Sequence, residues 1–193
     1  MTTIGHTDAR HNVKLDGLQV AAEQKQYLTF MLGGEMFAIG ILQVKEIIEY
    51  RGLTEVPMMP TCIRGVINLR GAVVPVMDLS ARFTNKITTE TKRTCIIIVE
   101  VSAFEEHQDM GVVVDAVNAV LEIPDTEIEP APTFGARIQA NFIEGMGKVN
   151  GKFVILLNVN QVLSAGDIET LGAMEQAANL TPVAEEKREQ QFS

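Results

Sequence analysis

The chain has 193 residues, 46% of them hydrophobic, and a formal net charge of −9. That apolar share is enough for one sizeable core or two small ones. The acidic balance argues against nucleic-acid phosphates and anionic lipid as partners, because no basic field is available to release counterions.

Residues 1 to 25 are polar and lack strong periodicity, so they read as a mobile arm. They hold no apolar signal core, and no later apolar run is long enough to span a bilayer, so a cytoplasmic protein is expected. Tyr27–Leu32 and Glu35–Ile39 read as strands around a Gly33-Gly34 turn. Leu42–Lys45 suits a helical turn and Glu46–Tyr50 a further strand. Pro57, Pro60 and Thr61 then break the ladder, and Pro60 suits the first turn of a short helix reaching Arg64. Met58 and Met59 between the prolines are either core anchors or an adaptable apolar patch. Val66–Leu69 and Val73–Met77 follow as strands, with Pro75 predicting an edge or a bulge. Asp78 is placed to cap a short helix over Leu79–Phe83.

The Thr-rich connector Asn85–Lys92 reads as the boundary between two halves. Arg93–Val101 is a near-continuous apolar strand, and Ala103–Asp109 an acidic loop. Gly111–Val114 and Val117–Ile123 are strands, and Pro124–Ala136 is a Pro-rich loop. Asn150-Gly151 is a type I′ hairpin signal, and Asn158 is placed as a second cap. Leu171, Met174, Ala177 and Ala178 share one face of a helix starting near Asp167, ahead of a charged tail. Cys62 and Cys95 lie in apolar contexts and read as buried free thiols.

The chain repeats itself. Gly65-Val-Ile-Asn-Leu-Arg-Gly71 and its apolar sequel to Asp78 return as Gly145-Met-Gly-Lys-Val-Asn-Gly151 and a sequel to Asn158. Upstream, Phe37 through Glu49 aligns with Met110 through Glu122. The second copy carries about seven more residues between its two blocks, which loop-closure entropy tolerates. Duplicated short strands with Gly, Pro and Asn punctuation predict two small β units, over residues 26–88 and 89–166. The hairpin tips differ. Asn150 tolerates a positive φ, whereas Arg70 at the same place loses roughly 1 kcal/mol. Either Arg70 sits in a different turn, such as type II with Gly71 third, or a long cation is displayed there for a partner.

Catalytic chemistry finds little footing. There are three histidines, none within an expected strand, so a nucleophile–His–carboxylate arrangement has no rigid base. The glycines are scattered hairpin glycines rather than a phosphate loop. Glu105, Glu106, His107 and Asp109 offer metal-ligating types, as do His6, Asp8 and His11. The first cluster suits a solvated turn better, and the second lies in the arm. Asp78 and Asp115 read as a cap and a strand-end turn. No cofactor is implied.

These residues resemble the CheW family of bacterial chemotaxis coupling proteins over about residues 26 to 165. The resemblance rests on Tyr27-Leu-Thr-Phe30, on Phe37 through Ile47, on Ile63-Arg-Gly-Val-Ile-Asn-Leu-Arg-Gly71 with Val74-Pro-Val-Met-Asp-Leu79, and on Gly111-Val-Val-Val-Asp-Ala-Val117. It implies an all-β fold of two pseudo-symmetric five-stranded SH3-like β-barrels, with short helices and no catalysis. It also implies an adaptor joining methyl-accepting chemoreceptors to the regulatory domain of the histidine kinase CheA. That domain shares the two-barrel fold, so the two can alternate in rings with other CheW-like domains. Carried over by motif, Val44, Glu46, Gly65, Arg70 and Val120 are the receptor-facing residues. Val44 and Val120 read equally well as core. Kinase-facing residues carry no sharp motif and stay unassigned, although exposed strand edges and apolar loop tips suit them. The related CheV and CheA architectures add receiver or kinase domains, for which this sequence has no counterpart.

Overall fold

A computed structural model describes residues 25–103, 106–132 and 138–164. The expected arm and the C-terminal helix and tail lie outside the described residues. Eleven strands and two short helices are found among the described residues. In order they are β1 (Lys25–Leu32), β2 (Glu35–Gly40), β3 (Val44–Glu49), β4 (Ile63–Leu69), β5 (Ala72–Asp78) and α1 (Leu79–Thr84). Then come β6 (Cys95–Ala103), β7 (Glu106–Val114), β8 (Ala116–Ile123), β9 (Ile128–Glu129), β10 (Ile143–Val149), β11 (Lys152–Leu157) and α2 (Val159–Val162). The all-β class holds.

The duplication is exact in its pairing. In the β4–β5 hairpin, Ile63 faces Met77 and Gly65 faces Val76, with a bulge between them. In the β10–β11 hairpin, Ile143 faces Leu157 and Gly145 faces Leu156, with the same bulge. Both tips have positive φ at both central residues: 51° and 90° at Arg70 and Gly71, 51° and 75° at Asn150 and Gly151. That is the sign pattern of a type I′ turn, so the type II alternative for Arg70 falls away. Each hairpin ends in a capped helical turn. Asp78 accepts a hydrogen bond from Ala81 N, and Asn158 from Gln161 N.

The strands do not divide at the 88/89 boundary. One sheet runs β3-β6-β7-β5-β4 and the other β8-β1-β2-β11-β10-β9. The first two strands of each repeat therefore complete the sheet of the other repeat. The exchange is reciprocal: β7 lies parallel to β5 with Gly111 beside Val76, and β2 lies parallel to β11 with Ala38 beside Leu156. The expected units 26–88 and 89–166 are thus corrected to 44–114, and to 25–40 with 116–157. The physical reason is burial on both faces. Ile97, Val99 and Val101 of β6 face a core between the sheets, shared with Leu28, Phe30 and Leu157. Ile96 and Ile98 face the opposite way, into a small core with Val74, Val76 and Val113. Tyr27, Ala38, Val154 and Leu156 form the matching small core of the other sheet. A strand buried on both faces reads as a continuous apolar run, as Arg93–Val101 does.

Other details differ from expectation. Pro60 starts only a turn, in which Ile63 N bonds the Pro60 carbonyl at 2.8 Å, and Ile63 then enters β4 rather than a helix. Pro75 lies in a strand that is interior by order, but pairing with β7 begins only at Val76. Val66, opposite Pro75, directs its own N–H and C=O to Thr54, so no ladder bond asks for a proline N–H. Ala103–Asp109 is largely a hairpin extension, with Ser102 opposite His107. Cys62 is buried and Cys95 only partly so, and neither is in a disulfide among the described residues.

Two fixed points hold the first hairpin. A Cβ on Gly65 (φ 146°) would run into the backbone of Thr54, whose carbonyl carbon would stand 2.9 Å away. Asp78 is fully buried and accepts four hydrogen bonds, from Ala81 N, Thr88 N, the Thr88 hydroxyl and Arg64 Nη1. It clamps the connector against the hairpin, a task that Asn158 does not share.

Gly65→Ala is expected to cost roughly 3 kcal/mol in urea unfolding, because backbone must move. Gly71→Ala, with open space around it, costs about 1 kcal/mol from backbone conformation alone. Asp78→Ala is expected to cost about 3–5 kcal/mol by leaving the Thr88 and Ala81 donors without their acceptor and Arg64 with only its 3.4 Å contact to Glu90, against about 1 kcal/mol for Asn158→Ala, a cap only; similar losses would remove the clamp. Fragments 25–88 and 89–164 are expected to remain unfolded apart and to regain β circular dichroism on mixing; independent folding of either would contradict the exchange.

Candidate docking surfaces

The tip of the β4–β5 hairpin carries Arg70, and β3 carries Glu46. These strands are at opposite ends of their sheet. Arg70 Nη1 and Nη2 nevertheless donate to Glu46 Oε1 and Oε2 at 2.8 and 2.9 Å. The bidentate pair, with the Thr54–Val66 bridge, shows that the sheet curls back on itself, as an SH3-like barrel does. The Arg70 side chain is 76% exposed and Glu46 24%. The pair is therefore a surface feature, with a contribution to stability of about 1 kcal/mol or less.

Of the five expected site residues, Glu46 and Arg70 are thus brought together. Gly65 lies on the same hairpin, where its lack of a side chain lets the Thr54 segment close over β4. Val44 begins β3 and is partly buried against the core between the sheets. Val120 lies on β8 opposite Leu28, 47% exposed, so it is not an ordinary core residue.

The exposed apolar residues follow the repeat. Ile47 is 43% exposed, as is its counterpart Val120 at 47%. Val73 and its counterpart Phe153, each just past a hairpin tip, are likewise open to solvent. The Val73 and Phe153 positions were missed from sequence alone. The eighty-residue offset that pairs the two hairpins was the signal that could have found them. Met58, 80% exposed with φ 62°, heads an apolar loop with Val56 and Met59, which favours the patch reading over the core-anchor one.

Side-chain chemistry distinguishes the two barrels. Glu100 and Asp109 face each other across β6 and β7, and the Lys45 ammonium bonds them at 2.8 and 2.6 Å. Hydrogen bonds to Asp109 and then Glu100 raise the Lys45 pKa above its ordinary value. His107 Nδ1 lies 3.5 Å from Glu100. At the matching place in the other barrel, Met31 faces Met36 across β1 and β2. These two methionines, with Leu121, Met146 and Phe153, line an open apolar cleft of about 690 Å³, room for several partner side chains. Glu46 and Arg70 likewise correspond to Ala119 and Asn150, which cannot form an ion pair. Among the described residues no group of three His, Cys, Asp or Glu side chains is placed to hold a metal, and no helix is long and apolar enough to cross a membrane.

Comparison with known proteins agrees with this architecture. The CheW-like domain family model matches residues 26–167. The chain is 33% identical over 155 residues to the chemotaxis protein CheW of Klebsiella aerogenes, covering 80% of this chain and 89% of that protein. It is 32% identical over 145 residues to CheW of Rhizobium meliloti, covering 75% and 91%. The crystal structure of the scaffolding protein TtCheW from Thermoanaerobacter tengcongensis superposes with a TM-score of 0.65 at 32% identity, covering 82% of this chain and 93% of that one. With its repeated hairpins, its two sheets and this span of similarity, the chain belongs to the CheW-like domain family.

Proposed function

We propose that this chain is a non-catalytic adaptor that couples methyl-accepting chemoreceptors to the histidine kinase CheA, acting in the cytoplasm and recruited to receptor arrays. The observation that carries the reading is the Glu46–Arg70 pair on a positive-φ hairpin tip, present on one repeat and not on the other. Its mechanism is binding alone. Two surfaces on one rigid body engage two partners at once, which raises their effective concentration and sets their relative geometry.

The receptor-facing set is Val44, Glu46, Gly65, Arg70 and Val120. Arg70 supplies a planar, permanently charged fork. Glu46 holds that fork in place. Gly65 sets the backbone on which the tip stands, and Val44 and Val120 supply apolar surface. A metal-dependent enzyme built on the Glu105–Asp109 segment is the poorer reading, because Lys45 already occupies the Asp109 carboxylate.

Arg70→Asn copies the tip of the second repeat and separates binding from folding. Unfolding free energy is expected to change by less than about 1 kcal/mol, as relief of the positive-φ cost offsets the lost surface pair. Receptor-tip affinity is expected to fall about tenfold or more, as for truncation of an interfacial arginine. Titration calorimetry against a receptor tip checks this, with binding to the kinase regulatory domain measured alongside; unchanged receptor affinity removes Arg70 from the surface.

A further inference from the structure

Two connections carry the chain between its sheets, Ile41–Gln43 after β2 and Asp115 between β7 and β8, while residues 85–94 join α1 to β6 within one sheet. The β6–β7 pair is tethered at both ends, by residues 85–94 and by Asp115. Among the described residues the β1–β2 hairpin is tethered at one, by Ile41–Gln43. That single crossing is a 3₁₀ turn with no side-chain cap and no buried residue, and its Leu42 is 98% exposed.

We propose that a second copy of this chain is a natural partner through exchange of the β1–β2 hairpin. In the exchanged dimer, residues 25–40 of each copy complete the β8–β11 sheet of the other. Every strand pair survives. Phe37 and Ala38 still lie beside Ile155 and Leu156, and Gly33 N still donates to the Asp115 carboxylate, 2.7 Å away in the closed chain. Only the path of Ile41–Gln43 changes. Closed and exchanged forms therefore differ by hinge strain and by the entropy of association. Concentration and hinge length decide between them. The exchange takes no docking surface away: Arg70, Glu46, Val73 and Phe153 lie outside the donated hairpin, and the cleft receives its Met31 and Met36 from the other copy. The dimer is a body with two copies of each face.

The test uses Gln26 and Glu122, exposed partners across β1 and β8 whose side chains are 3.2 Å apart. A Gln26→Cys/Glu122→Cys chain, with Cys95→Ser, is unfolded, refolded dilute or concentrated, and oxidised. The expected result is an intrachain link after dilute refolding. After concentrated refolding, a dimer by gel filtration should carry interchain links on a non-reducing gel. Deleting Leu42 and Gln43 is expected to raise the dimer share at every concentration. If the shortened chain does not fold, the full-length pair still decides. Links that stay within one chain after concentrated refolding overturn the proposal, whether the protein runs as a monomer or as a dimer joined by its surface.

Discussion

Neither half of this chain can bury its own apolar surface, and that constraint organises everything else. Each repeat begins with a hairpin whose residues point apolar side chains to both faces. Such a hairpin needs a sheet partner on its edges and cores above and below. The repeats meet this need by trading their hairpins, so that β6 and β7 stand between β3 and β5 while β1 and β2 stand between β8 and β11. Three cores result: one in each barrel and a larger one between the two sheets. The trade makes the two barrels one body. A force or a partner acting on one barrel meets strands covalently rooted in the other.

A shared backbone makes the differences between the repeats readable as chemistry. The same hairpin ends in Asn150, suited to positive φ, and in Arg70, which is not. The same strand pair presents Met31 opposite Met36 on one barrel and Glu100 opposite Asp109, bridged by Lys45, on the other. The same cap position carries Asn158, or an Asp78 that also clamps Thr88 and Arg64. In each case the backbone is held constant and the side chains change character, from apolar or neutral to charged. One barrel offers an apolar cleft and the other an ionic rim, so partners of different chemistry can be told apart by one fold.

Much of this was legible in the residues. The paired glycines predicted both hairpins, and their eighty-residue offset carried down to identical bulges and registers. The caps at Asp78 and Asn158 fell where short polar residues precede apolar ones. Which strands would meet was not legible. Local pattern sets the tip and the alternation of a hairpin, but the two exchanging hairpins are chemically alike. Either would fill either barrel, so the choice rests on connections such as the single residue Asp115 between β7 and β8. The helix expected after Pro60 failed for a related reason. A proline at a possible first turn says nothing of the nearby strand β5, which claims Ile63 by pairing it with Met77. The Glu46–Arg70 pair was legible in part. Arg70 stood out at the tip, but its partner Glu46 lies twenty-four residues earlier, on a strand at the far end of the sheet.

The energetics of that pair argue that its worth lies outside the folded chain. An arginine held at positive φ costs roughly 1 kcal/mol. The surface pair with a partly buried Glu46 returns about the same or less, even with bidentate geometry. The two nearly cancel, so stability gives no reason to place arginine at a turn where asparagine serves the other repeat without strain. What the arrangement does provide is a guanidinium held in one orientation, 76% exposed, beside the open apolar surface of Val73 on the same hairpin. A fork already ordered by Glu46 loses less rotamer freedom when a third group docks against it. The proposed receptor-facing role would account for the Glu46–Arg70 pair as half of an interface, strained and balanced in the free protein.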